Sequence, residues 1–154
     1  MTVLENISIA AQTKSPFRKS MLSRISQDRE ALERASQALE LVGLTKVGGK
    51  LARELSHGDR RGLEISMSLA TEPDFLMLDE PTSGMPPAET EATIELINSL
   101  RKRVTICLIE HKMHLVMTVS DKIIVLNLGE KIAEGSPSVV EANEEVQKVY
   151  LGAE

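Results

Sequence analysis

The sequence predicts an α/β protein with a parallel β-sheet flanked by helices. Three short apolar runs, at 75–78, 104–109 and 123–128, have the length of buried strands and lack the alternation of half-exposed ones. Segments with helical spacing of apolar residues separate these runs. Strands that alternate with helices are typical of a parallel sheet covered on both faces, so we expect these three strands to be fully buried.

Helical patterns fill the chain before the first strand. Thr2 and Glu5 form a capping-box pattern, which predicts a short helix at the N-terminus. Residues 13–26 are polar and basic, and we expect a surface loop or an irregular helix there. The apolar positions of the next predicted helix are Ala31, Leu32, Ala35, Leu39, Leu41 and Val42. Gly43 is expected to end this helix.

A connector at 47–54 leads to the third predicted helix. Ser56 suits the N-cap position of that helix. Its apolar residues are Leu63, Ile65, Met67, Leu69 and Ala70. We therefore expect a group of three helices before the sheet begins.

The remaining elements follow the strands in turn. Helices are predicted at 88–100 and 111–119. The inward side chains of the first are expected to be Thr93, Ile94, Ile97 and Leu100. A turn at 127–130 leads into a short hairpin strand at 131–133, and Ser136-Pro137 is expected to cap a final helix.

Composition limits the function classes. The 154 residues suffice for one domain, and 18 basic against 23 acidic side chains give a net charge of −5 without a basic cluster. This balance argues against nucleic-acid binding, whose affinity comes from phosphate neutralisation. The single cysteine, Cys107, lies in an apolar run, so we expect it in the core of a protein from a reducing, cytoplasmic compartment. The N-terminus lacks the pattern of a signal peptide.

Two adjacent acids end the first apolar run. Open α/β sheets bind ligands at the carboxyl ends of their strands, where Asp79 and Glu80 lie. Asp79 is suited to hold hydrated Mg²⁺, the cation that accompanies nucleotide phosphates, and Glu80 to orient or deprotonate an attacking water. The same two acids also suit a cap of the following helix, and the pattern alone leaves both possibilities open.

Two further segments suggest ligand contacts. Ser56 and Gly58 open an apolar helix, and free amides at a helix N-terminus attract anions. Taken alone, this segment also suits an ordinary N-cap. His111 follows the second strand, so it is expected at the same sheet edge as Asp79.

The order of these segments resembles the nucleotide-binding subunit of ATP-binding cassette (ABC) transporters. The matching motifs are the signature motif LSHGD (55–59), the Walker B strand LMLDE (76–80), the D-loop SGMP (83–86) and the switch-histidine region Glu110-His111. Four motifs in this order are highly specific for the family.

Both ends of the chain extend the resemblance. The opening MTVLEN resembles the segment that enters the helical subdomain, and the closing IAEGSPSVVEA…VQKVYLG resembles the branched-chain amino-acid uptake subgroup. The implied fold is a partial P-loop NTPase (RecA-like) parallel sheet with an ABC-type α-helical subdomain inserted. The resemblance divides it into a helical subdomain with the signature helix at 1–70 and the C-terminal part of the RecA-like core at 71–154.

The resemblance implies an ATP-binding and ATP-hydrolysing subunit of an importer, of the kind that takes up branched-chain amino acids. Its implied partners are a second ABC nucleotide-binding subunit and transmembrane permease subunits, at the cytoplasmic face of the cell membrane. A urea or short-amide importer ATPase stays an alternative. A non-catalytic docking or dimerisation module is the alternative from another class.

Site residues are carried over motif by motif. The signature residues that would contact ATP held mainly by the second subunit are Ser56, His57, Gly58 and Asp59. Asp79 would bind Mg²⁺ through water, Glu80 would be the catalytic base, and His111 would contact the γ-phosphate and the attacking water. The D-loop at the dimer interface would comprise Ser83, Gly84, Met85 and Pro86.

Three positions depart from the family pattern. His57 replaces the usual first glycine of the signature motif, and Asp59 stands where glutamine is commonest. Pro86 stands where the D-loop commonly has aspartate, or asparagine in this branch, which leaves the usual polar contact of that loop open.

The sequence contains no P-loop of the form G-x-x-x-x-G-K-[ST]. The only Gly-Lys, Gly49-Lys50, is followed by Leu51 and is expected to be an ordinary connector. The chain is therefore expected to be the C-terminal part of a nucleotide-binding domain. In this fold the P-loop strand lies between the strands at 104–109 and 123–128, so we expect two unpaired strand edges, poor stability and negligible ATPase activity for the chain alone.

Overall fold

The computed structural model describes residues 1–14 and 28–151, except the side chain of Leu151. Most of the polar stretch expected to form a loop or irregular helix, 13–26, lies outside the described residues. Its first two residues belong to a 3₁₀ turn at Gln12–Lys14.

The chain divides into two compact units. The first unit comprises residues 1–76 and 82–107, and the second comprises residues 77–81 and 108–154. The division after residue 70 that the resemblance implies stays a prediction.

Four helices form most of the first unit. They are α1 (Val3–Ala11), α2 (Arg29–Leu41), α3 (His57–Leu69) and α4 (Pro87–Leu100). The capping box is confirmed, because the Glu5 amide donates to Thr2 Oγ1 at 3.2 Å and the Thr2 amide to Glu5 Oε2 at 2.7 Å. Gly43 follows α2 with a φ of +75°, the left-handed conformation that ends many helices.

The first three helices share one apolar core. Its buried members are Val3, Ile7, Ala11, Ala31, Ala35, Ala38, Leu39, Leu44, Leu55, Leu63 and Ala70. The connector between α2 and α3 closes this core through 3₁₀ turns at Thr45–Val47 and Ala52–Glu54. Gly49-Lys50 lies in this connector, and the Lys50 carbonyl accepts a 2.9 Å hydrogen bond from the Val3 amide. The interpretation of this segment as a structural connector is confirmed.

The strands form two separate pairs. β1 (Phe75–Asp79) pairs with β2 (Thr105–Ile109), and β3 (Ile123–Asn127) pairs antiparallel with β4 (Glu130–Gly135). The β1–β2 pair is parallel, because hydrogen bonds from Thr105 to Asp74 and from Glu80 to Ile109 advance along both strands together. Within 1–14 and 28–151, β2 and β3 are not paired with each other, as expected from the sequence.

The expectation that the strands are fully buried is wrong. In β1, Leu76 and Leu78 are buried, but Phe75 and Met77 are 54% and 61% exposed. Other strand residues with about half of their surface exposed are Ile109, Ile124 and Leu126. Alternate residues are buried in β1 and β3, whereas every residue of β2 and β4 is half-buried or exposed. Cys107 is accordingly half-buried and not in the core.

The second unit differs from the prediction at its helix ends. α5 (Met113–Val119) begins two residues after the predicted start at 111. α6 (Pro137–Glu141) begins at the predicted proline, but Ser136 makes no capping bond to it, since its Oγ lies 3.0 Å from Ser138 Oγ. α6 is also not the final helix, because α7 (Glu144–Val146) and a π-helical turn at Gln147–Leu151 follow.

The C-terminal turns are fixed to the hairpin. Val140 and Val146 are fully buried and join Ile123 and Val125 in an apolar cluster. Tyr150 Oη donates a 2.6 Å hydrogen bond to the Leu126 carbonyl. Among the residues described, no helix is long and apolar enough to cross a membrane.

Candidate functional site

The backbone fixes Glu80 immediately after β1. Its amide donates to the Ile109 carbonyl at 2.9 Å, which continues the parallel ladder one residue beyond Asp79. Its φ of +42° lies in the left-handed region, which costs a non-glycine residue about 1–2 kcal/mol. Strain of this kind persists only where the surrounding structure imposes it, and it is frequent at functional sites.

The Glu80 carboxylate lies beside the imidazole of His111. Glu80 Oε1 and His111 Nδ1 are 3.3 Å apart, and both side chains are accessible, at 49% and 62% exposure. The sequence predicted that acids and a histidine at the ends of β1 and β2 would meet at one edge. The structure brings Glu80 and His111 together there.

Glu110 has a role that sequence reasoning did not assign. Its side chain is fully buried, and its Oε2 accepts a 3.2 Å hydrogen bond from the His111 amide. This bond fixes the turn that follows β2 and thereby the position of the imidazole. The only sequence signal is an acid directly before the candidate histidine at a strand end.

The alternative in which Asp79 and Glu80 cap the following helix does not hold. The N-cap residue of α4 is Pro86, which makes no side-chain capping bond. Glu80 instead contacts His111. The acids are therefore not explained as part of a helix start.

Asp79 is an exposed carboxylate at the end of β1. No three histidine, cysteine, aspartate or glutamate side chains in the described ranges converge as a metal site. Asp79 can thus supply one oxygen ligand. One carboxylate with water and phosphate oxygens is the kind of donor set that Mg²⁺ prefers, so the residues present fit this ion.

The signature segment forms the first turn of α3. Ser56 is the N-cap, and its Oγ accepts a 3.1 Å hydrogen bond from the Asp59 amide, so the predicted cap is confirmed. Ser56 and His57 are exposed, whereas Gly58 and Asp59 are half-buried. A helix of 13 residues with an exposed serine at its start provides amides that can meet an anion.

Gly58 permits a close approach between α3 and α4. A Cβ atom at this position would lie 2.9 Å from Glu89 Oε2 and 3.1 Å from Glu89 Cδ. A cleft of about 330 Å³ opens here, and its lining includes Val42, Leu44, Ser56, Gly58, Glu89 and Leu96. Sequence reasoning missed Glu89, because an acid in the first turn of a helix resembles an ordinary surface residue.

The D-loop segment lies at the start of α4. Ser83, Gly84 and Pro86 are exposed, and Gly84 has a φ of +71°. Met85 is half-buried, with its Sδ 3.5 Å from Thr93 Oγ1. Three of the four residues are thus accessible, and the methionine holds the segment to α4.

Family models match both ends of the chain. The model described as "ABC transporter" matches residues 1–83, and that described as "Branched-chain amino acid ATP-binding cassette transporter" matches residues 130–154. The first match covers more than half of the chain.

Curated relatives match nearly the whole chain. It is 43% identical over 159 residues to the high-affinity branched-chain amino acid transport ATP-binding protein LivG of Escherichia coli K12. It is 41% identical over 166 residues to the corresponding protein BraF of Pseudomonas aeruginosa. Each alignment covers 99% of this chain and 62% of the relative. The chain therefore spans less than two thirds of the length of these relatives.

Solved structures agree in fold. An ATP-binding cassette of an ABC transporter in its ADP conformation superposes with a TM-score of 0.81 at 30% identity, covering 99% of this chain and 63% of that one. An ABC transporter in an inward-facing conformation gives a TM-score of 0.83 at 21% identity, covering 98% of this chain and 59% of that one. The fold is that of ABC ATPase cassettes, and the chain belongs to the ABC transporter family.

Proposed function

We propose that this chain forms part of an ATP-hydrolysing subunit of an ABC importer, and that Glu80 and His111 carry its chemistry. The observation that supports this most directly is the 3.3 Å contact between Glu80 Oε1 and His111 Nδ1 at the strand ends of an ABC-family chain. An acid and an imidazole that are both accessible and adjacent can hold and move a proton.

Glu80 is the proposed general base. Its backbone is fixed by the hydrogen bond to Ile109, while its carboxylate is half exposed and can reach a water molecule. By accepting a proton from that water molecule, Glu80 would make the water a nucleophile for phosphoryl transfer. A positioned base of this kind typically contributes about 10²–10⁴ to the rate.

His111 is proposed to orient Glu80 and to contact the phosphate end of the nucleotide. Its Nδ1 faces Glu80, which leaves Nε2 for a second partner. The buried Glu110 side chain accepts a hydrogen bond from the His111 amide, so the backbone of His111 is held independently of the contact between its ring and Glu80.

Asp79 is proposed to take part in Mg²⁺ binding. Mg²⁺ would neutralise the charge of the transferred phosphoryl group, as in other phosphoryl-transfer sites. Asp79 is the exposed carboxylate at the end of β1, and it would hold the ion through a water molecule, because Mg²⁺ dehydrates reluctantly.

The signature segment is proposed to act on nucleotide bound mainly by a second ABC subunit. Ser56, His57, Gly58 and Asp59 would contact its phosphates from the exposed start of α3. The exposed D-loop residues Ser83, Gly84 and Pro86, with Met85 between them, would meet the second subunit. This arrangement makes dimerisation depend on the nucleotide.

The proposed cargo is a branched-chain amino acid. The support is the 43% identity to LivG and the match of residues 130–154 to the branched-chain amino acid family model. Permease subunits would be the membrane partners, with this protein at the cytoplasmic face of the membrane.

The test is a chimera in which this chain replaces the aligned segment of E. coli LivG. The chimera is expected to restore leucine uptake in cells that lack LivG. The chimera with Glu80→Gln is expected to lose about 10²-fold or more of its ATP hydrolysis, because glutamine keeps the shape and removes the base. Glu130→Gln, which changes an exposed acid at the β3–β4 turn, is the matched control.

The outcomes separate the parts of the proposal. Full ATPase activity in the Glu80→Gln chimera would exclude Glu80 as the base. ATPase activity without leucine uptake, together with uptake of another solute, would leave the catalytic assignment intact and exclude the proposed cargo. If Asp79→Asn leaves the Mg²⁺ dependence of ATP binding by the chimera unchanged, the metal role of Asp79 is excluded.

A further inference from the structure

Glu89 brings a carboxylate to the signature segment. It lies in the first turn of α4, and its Oε2 is 2.9 Å from the position that a Cβ atom of Gly58 would occupy. That oxygen is buried and has no hydrogen-bond partner among the residues described. A buried carboxylate oxygen without a partner costs free energy, so its position calls for a compensating interaction.

The start of α3 lies beside this carboxylate. The first amides of a helix carry a partial positive charge that attracts an anion within the first turn. Gly58 belongs to this turn, and its missing side chain leaves the space in which the Glu89 carboxylate lies. The carboxylate is therefore an anion of the chain itself at the place proposed to meet a phosphate.

The α4 backbone holds Glu89 in this place. Thr93 Oγ1 donates a 2.9 Å hydrogen bond to the Glu89 carbonyl, and the same hydroxyl lies 3.5 Å from Met85 Sδ. Glu89 is thus connected through one threonine to the D-loop segment.

We propose that the Glu89 carboxylate is a built-in competing anion, which weakens phosphate binding at residues 56–59 until its side chain leaves the cleft beside Gly58. This inference rests on the proposed contact between the signature segment and nucleotide phosphate. Two negative groups within about 5 Å repel each other strongly at the effective dielectric of a protein surface, and salt reduces the repulsion. Removal of the Glu89 charge should therefore tighten phosphate binding by roughly tenfold at low salt.

The experiment titrates the ¹⁵N-labelled chimera, in which this chain replaces the aligned segment of LivG, with inorganic tripolyphosphate and follows the amide signals of residues 56–59. Glu89→Gln keeps the size of the side chain and removes its charge, and Glu89→Ala is a second variant in case the first is poorly folded. Glu91→Gln, an exposed acid on the same helix, is the matched control for net charge. Dissociation constants are measured at low and at high salt.

The expected result is tighter binding by Glu89→Gln and Glu89→Ala, unchanged binding by Glu91→Gln, and a smaller difference at high salt. A purely structural role of Glu89 would change the unfolding midpoint without this salt-dependent gain. Equal dissociation constants for the unaltered chimera and both Glu89 variants would overturn the inference and leave the proposed function intact. An equal gain from Glu91→Gln would also overturn it. No response of residues 56–59 in any variant would overturn the proposed phosphate contact, and the inference with it.

Discussion

Replacement of Glu80 by asparagine is expected to leave the protein as stable as before, or more stable, although it removes the proposed base. Glu80 and Leu128 have φ values of +42° and +49°, which asparagine adopts more readily than other non-glycine residues. Leu128 lies with Gly129, at φ +86°, in the two-residue turn between β3 and β4, and it is 98% exposed. Turns with two positive φ values favour Asn-Gly. Leu128→Asn therefore measures how much stability asparagine recovers at a positive φ in the same unit of the chain as Glu80.

The two magnitudes follow from the contacts. A left-handed conformation costs a non-glycine residue about 1–2 kcal/mol, and asparagine recovers part of this. Leu128 has almost no packing to lose, so Leu128→Asn should raise the free energy of unfolding by about 1 kcal/mol. Glu80→Asn gains the same relief but loses the exposed pair with His111, for which about 0–1 kcal/mol is typical. The net change at Glu80 is therefore expected between about 0 and +1 kcal/mol.

Equilibrium unfolding in urea measures both values, with Leu128→Ala as the control that removes the exposed leucine but keeps the strain. If Leu128→Asn is no more stable than Leu128→Ala, the argument from positive φ is refuted. If Leu128→Asn is stabilising but Glu80→Asn is destabilising by more than about 1 kcal/mol, Glu80 makes a stronger interaction than its exposed pair with His111 accounts for.

Two further predictions concern the β3–β4 hairpin and its surroundings. The pKa of Glu134 is lowered from 4.5 to about 2, mainly by a hydrogen bond from Lys122 and next by one from Lys131. A lowered folded-state pKa stabilises the protein at pH values above the unfolded-state pKa, and this contribution should be lost as pH falls from about 4.5 to about 2. Glu134→Gln should therefore reduce the pH dependence of the unfolding midpoint over that range. Gly135→Ala should destabilise the protein by about 1–3 kcal/mol in thermal unfolding, because its Cβ would lie 2.9 Å from Val139 Cβ, whereas Gly49→Ala, with open space around it, should not.

Helix starts could be predicted from the sequence because their interactions are local. The hydrogen bonds between Thr2 and Glu5 and between Ser56 and Asp59 each join residues three positions apart. Such a pattern is fully contained in a short window of sequence. The exception is Ser136, which pairs with Ser138 and makes no bond to the helix amides.

The burial of the strands could not be predicted in the same way. An apolar run such as 75–78 has the same letters whether one face of its strand is covered or two. The burial of each face of a strand depends on which other segments pack against it. Among the described residues, Phe75 and Met77 remain more than half exposed. The run of apolar residues therefore predicted the strand correctly and its exposure wrongly.

In the candidate site, one contact could be predicted from the sequence and another could not. Strand-end positions predicted that Glu80 and His111 would approach each other, because the ends of neighbouring parallel strands meet at one edge. Glu89 reaches Gly58 across two helices that are joined by no sequence pattern. Contacts of this second kind depend on how helices pack, which a single sequence does not contain.

The backbone also determines which substitutions can test the chemistry. The Glu80 amide donates a hydrogen bond to the Ile109 carbonyl, and the Glu80 backbone has a positive φ. Neither feature depends on the charge of the side chain. Glutamine at this position should therefore keep the fold, with an unfolding free energy within about 0.5 kcal/mol of the original chain, since surface substitutions of this kind rarely change it more. A loss of ATP hydrolysis in Glu80→Gln with unchanged unfolding would then assign the effect to the missing base. A large loss of stability in the same variant would instead show that the carboxylate supports the fold, and the catalytic assignment would lose its main argument.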